Sequence, residues 1–88
     1  MDEYEIGIMT TSCKIKAPSI ESAIIGFAMG TNINTNIGLD TLAMIAIYSV
    51  NGKKFVDKNP FALKKLDEHS HEELQAIMDD VDKITFCQ

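Results

Sequence analysis

The sequence has no tryptophan and no arginine, two prolines, two cysteines, five glycines and 7% aromatic residues among its 88 positions. Each shortage excludes something. Without arginine, the guanidinium contacts that recognise phosphates and bases are missing, and a net charge of −5 removes any broad attraction to nucleic acid. Two cysteines near opposite ends, Cys13 and Cys87, give neither a disulfide framework nor metal-ligand spacing, so two free thiols in a reducing compartment are expected. The low proline and glycine content, beside 45% apolar residues, is that of an ordinary globular chain rather than a disordered one. No apolar run approaches the ~20 residues of a membrane span. The acidic start, Met1-Asp2-Glu3-Tyr4-Glu5, lacks the positive region of a secretory signal, which points to the cytoplasm.

What is present fits one domain over residues 1–88, with a core that removes roughly two-thirds of the unfolded surface from water. Tyr4, Ile6 and Ile8 alternate with Glu5 and Gly7, and Cys13 and Ile15 with Lys14 and Lys16, which predicts an antiparallel hairpin. Ala17-Pro18-Ser19 ends it. Ser19 can cap a helix over 20–29, with Ile20, Ala23, Ile24, Phe27 and Ala28 on one stripe, Glu21 and Ser22 toward water, and Gly30 as the stop. Residues 31–38, rich in asparagine, read as a loop.

From Leu39 to Tyr48 the chain is apolar on nearly all sides, and Asp40 or Thr41 can cap a helix that runs to about residue 47; the competing reading is a long buried strand running into the Asn-Gly turn. Asn51-Gly52 predicts a type I′ turn in a short hairpin, because these residues reach positive φ at the least cost. Asn59-Pro60 reads as a cap and first turn, and Ser70 with Glu73 as a capping box opening a helix over 71–84 with Leu74, Ile77, Met78, Val81 and Ile84 inside. The fold class is therefore α+β: an N-terminal β-hairpin, about four helices and a short Asn-Gly hairpin.

Candidate chemistry is sparse. Asp79, Asp80 and Asp82 with His71 point in several directions around a helix and lack a calcium-loop spacing. His69 and His71 have no companion ligands, and Cys13 and Cys87 no neighbouring base, so no catalytic, metal or cofactor site is expected. Lys53, Lys54, Lys58, Lys64 and Lys65 read as solvated surface, and the glycines do not form a phosphate loop. Met9, Met29, Met44 and Met78 are expected to fill the core, with a partner groove as the other role for such adaptable side chains.

The order of features resembles that of small tail assembly chaperones and baseplate hub assembly proteins of contractile-tailed bacteriophages. The parts that carry it, over residues 12–84, are a short N-terminal β segment reaching the Lys16-Ala17-Pro18-Ser19 entry, a helix, a polar gap, an apolar helix leading into Val50-Asn51-Gly52-Lys53, then Phe61-Ala62-Leu63-Lys64-Lys65-Leu66-Asp67 and Glu72-Glu73-Leu74. The Asn-rich insert 31–37 and the aliphatic stretch 42–48 depart from that pattern. The resemblance implies a non-enzymatic protein that binds a tail or baseplate component, without a cofactor. The apolar surplus nominates Ile37, Leu42, Met44, Ile45 and Tyr48 as contacts for a protein partner or a second copy of the chain. The alternative is an acidic regulatory module that occupies a basic surface through Glu72, Glu73, Asp79, Asp80 and Asp82.

Overall fold

Asn51 and Gly52 both take positive φ, +53° and +82°, so the Asn-Gly turn forms as expected. The computed structural model describes residues 1–30 and 39–87. It contains β1 (Asp2–Ile8), β2 (Thr11–Ala17), α1 (Ile20–Gly30), α2 (Leu39–Met44), β3 (Ala46–Val50), β4 (Lys53–Lys54), α3 (Pro60–Leu63), a 3-10 turn at Leu66–Glu68, α4 (His71–Val81) and β5 (Thr85–Cys87). The α+β class, the N-terminal hairpin and the four helices are thus present. One antiparallel sheet orders the strands β4-β3-β1-β2-β5, with the N-terminal hairpin near its centre.

The sheet has a packed face and a polar face. Tyr4 pairs with Ile15 and Ile6 with Cys13, and α1 covers this side with Ala23, Ile24, Phe27 and Ala28. On the other side Glu3 stands opposite Lys16 and Glu5 opposite Lys14, cross-strand pairs of opposite charge suited to water. Asn51 ties the second hairpin to the first. Its backbone N–H donates to the Glu3 carbonyl at 2.7 Å, its Oδ1 accepts from the Glu3 N–H at 2.8 Å, and its Nδ2 donates to Asp2 at 3.0 Å.

Three local expectations are corrected. The helix expected to reach residue 47 stops at Met44, and Ala46–Val50 is a strand instead. The pairing shifts between Glu5, opposite Ser49, and Ile6, opposite Ile47, which leaves Tyr48 as the extra residue of a bulge. That bulge lets Ile47 and Val50, three positions apart, both pack against the core.

The last helix ends at Val81 rather than 84. Amide bonds from Lys83 to Asp80 and from Ile84 to Val81 tighten its final turn, and Thr85–Cys87 then pairs with β2. Ile84 still reaches the core at Gly26, where a Cβ would run into the Ile84 side chain.

Ser22, expected toward water, is fully buried. Its hydroxyl donates to the Ser19 carbonyl at 2.7 Å, while the Ser19 hydroxyl accepts from the Ser22 N–H at 3.2 Å, so burial leaves no polar atom unsatisfied.

Candidate protein-binding surface

The β1–β2 turn consists of Met9 and Thr10, following the last strand pair Ile8–Thr11. Met9 occupies φ +55°, where a side chain bearing Cβ is strained, and it is 93% exposed. Gly7 makes the tight approach before this turn. A Cβ there would lie 2.5 Å from the Thr11 carbonyl oxygen and 2.8 Å from the Ser12 Cβ, both on the partner strand.

Gly7 also pairs with Ala46 across β1 and β3, so the register carries Met9 and Met44 to the same end of the sheet. Met44 is 70% exposed, Ala46 is exposed, and Tyr48, on the bulge, is 45% exposed. The backbone here is fixed from α3. The Asn59 Nδ2 donates to the carbonyls of Leu42 and Ile45, both at 2.8 Å, while its Oδ1 accepts from the Phe61 N–H at 2.8 Å as the expected cap.

Of the nominated contacts, Met44 and Tyr48 therefore reach the surface. Leu42 and Ile45 are 5% and 2% exposed and belong to the chain's own core, so the apolar middle is partly covered from within. Ile37 lies outside the described residues, as does the expected loop 31–38. The expectation that methionines fill the core is overturned: Met9, Met29, Met44 and Met78 are all exposed. Ala46 was not nominated. Its signal is alternation within Ile45-Ala46-Ile47, which sets alanine on the face opposite its neighbours.

The remaining candidates lie apart. Cys13 and Cys87 are free thiols on adjacent strands, but Cys87 pairs with Lys14, one position beyond Cys13, so the two sit on opposite faces of the sheet. Burial, and then the neighbouring Cys87, push the Cys13 thiol above its ordinary value, the reverse of nucleophile activation. The Tyr4 hydroxyl is likewise pushed up, first by burial and then by Asp2 and Glu21.

His69 donates from Nδ1 to the Lys65 carbonyl at 2.8 Å and tilts against the Phe61 ring. It borders a cleft of about 240 Å³ with Ser19, Glu21, Glu73 and Asp80, between α1 and α4. Among the described residues, no three His, Cys, Asp or Glu side chains are grouped to hold a metal ion, and no helix is long and apolar enough to cross a membrane. The lysine cluster divides: Lys53 and Lys54 form β4, whereas Lys64 is engaged with Glu73 at 3.0 Å.

No protein-family model, curated protein or solved structure matches the chain.

Proposed function

We propose that this is a non-enzymatic protein-binding protein, a chaperone or adaptor for a tail or baseplate component of a phage or phage-like particle, acting in the cytoplasm where such particles assemble. It holds its partner through Met9 and Met44 at one end of the sheet and Tyr48 on the β3 bulge. The observation that carries the binding role is Met9: a large apolar side chain kept almost wholly in water, at a backbone angle that glycine or asparagine would occupy with less strain. Exposed Met44 at the same end extends the patch, and methionine adapts to varied partner surfaces. The tail-assembly role draws on the resemblance in feature order over residues 12–84.

The test is co-purification with tail and baseplate proteins of a contractile-tailed phage, followed by titration of the complex. Met44→Lys and Tyr48→Lys should each weaken binding about tenfold or more, with melting unchanged because both sites are exposed. Unaltered affinity in both variants would remove these residues from the contact. The alternative, an acidic module on a basic surface, draws on exposed Glu72, Asp79 and Asp82, and its complex would instead weaken steeply with salt.

A further inference from the structure

The two outer strands of the sheet border surfaces of opposite character. On the β4 side, the second hairpin and the segment after it enclose an open groove of about 400 Å³, lined by Val50, Lys53, Lys54, Phe55 and Val56. Val56 is 83% exposed. Asp57 shares the rim, but Lys53, Lys54 and the adjoining Lys58 leave the groove basic.

The other edge is β5, which α4 feeds directly. The helical period sets Glu72, Gln75, Met78, Asp79 and Asp82 on one arc, turned away from buried Ile77, and every member of that arc is exposed. Exposed Lys83 follows, outnumbered by the three carboxylates. Glu73 lies off the arc, bound to Lys64.

We propose that copies of this chain join head to tail, the α4 arc of one seated in the β3–β4 groove of the next. The match is chemical on both counts: exposed Met78 meets the apolar lining made by Val50, Phe55 and Val56, while Glu72, Asp79 and Asp82 meet Lys53, Lys54 and Lys58. Strand order places β4, which borders the groove, and β5, which follows α4, at opposite edges of one sheet. Groove against groove, or arc against arc, would set like charges together, so each contact joins an arc to a groove. A contact between two different surfaces repeats, giving a ring if the rotation closes and a filament if it does not. This inference is independent of the Met9 and Met44 surface.

The test is light scattering behind size exclusion over a concentration series, at about 50 mM and about 500 mM salt. Average mass should rise at least about twofold with concentration in low salt and fall back in high salt. Lys53→Glu with Lys54→Glu should abolish the rise, as should Glu72→Lys with Asp79→Lys. An equimolar mixture of the two double variants should restore it, because each then offers the charge that the other lacks. All four sites are exposed, so circular dichroism should show every variant folded. A wild type that stays monomeric in low salt, variants that associate like it, or a mixture that stays apart would each overturn the proposal. Met44→Lys, which tests the partner surface, should leave this association intact.

Discussion

The side-chain amide of Asn59 donates to the backbone carbonyl of Ile45 at 2.8 Å, holding the end of α2 against the start of α3 across fourteen residues. A second bond from the same nitrogen reaches Leu42, and the Asn59 oxygen caps Phe61, so one side chain satisfies three backbone groups. Aspartate is as good a helix cap as asparagine, but it would aim an oxygen at two carbonyls. Asn59→Asp should therefore cost about 2–3 kcal/mol, no less than Asn59→Ala, and lower the melting temperature by roughly 10–20 °C. Urea unfolding of both variants checks the order. An Asp variant much more stable than the Ala variant would mean that capping, and not the two donated bonds, is what matters.

Met9 predicts a gain. Glycine accepts φ +55° without strain, so Met9→Gly should stabilise the fold by about 1 kcal/mol, raising the melting temperature by roughly 4–8 °C. If the methionine is kept for a partner, the same variant should bind that partner more weakly. Stability and binding moving in opposite directions is the expected signature of a residue retained for contact.

Gly7→Ala should act the other way. Its new methyl would meet the backbone of Thr11 and the Cβ of Ser12, neither of which is the loose end of a long side chain. Strands β1 and β2 would have to part beside the turn, at a cost of about 1–3 kcal/mol by chemical denaturation. An alanine variant as stable as the wild type would show that the hairpin is looser than its geometry.

Glu73 links stability to acid. The Ser70 backbone N–H, then Lys64 and the Ser70 hydroxyl, hold its carboxylate from an ordinary 4.5 down to about 2. Because the folded state favours the ionised form, this contribution is complete above pH about 4.5 and is lost as pH falls toward about 2. Glu73→Gln cannot titrate. The stability difference between the two proteins, followed by urea unfolding, should shrink across that window and be steady above it.

Much of this was legible because turn and cap chemistry is local. Asn51-Gly52, Asn59-Pro60 and the Ser70–Glu73 box each act within a few residues, and all three form as read. Residues 45–47 read as the end of a helix for a physical reason, whereas the hairpin arm after them forms as expected. The bulge at Tyr48 puts Ile47 and Val50 on one face at a spacing of three, which imitates helical periodicity. Strand β5 has three residues and takes its place from pairing with β2, a long-range partner that no local pattern announces. Of the candidate surface, Met44 and Tyr48 are exposed, whereas Leu42 and Ile45 are claimed by the core. The exposure of Met9 depends on a two-residue turn whose ends are set by strand register.

Strand order also sets which amides water can reach. Strand β1 is flanked on both sides, by β2 and β3, while β4 and β5 contribute two and three residues at the margins. Deuterium should enter the margins first and β1 last, each margin opening without the other because 53–54 and 85–87 share no pairing. The chain thus has a rigid spine with two independently fraying hems.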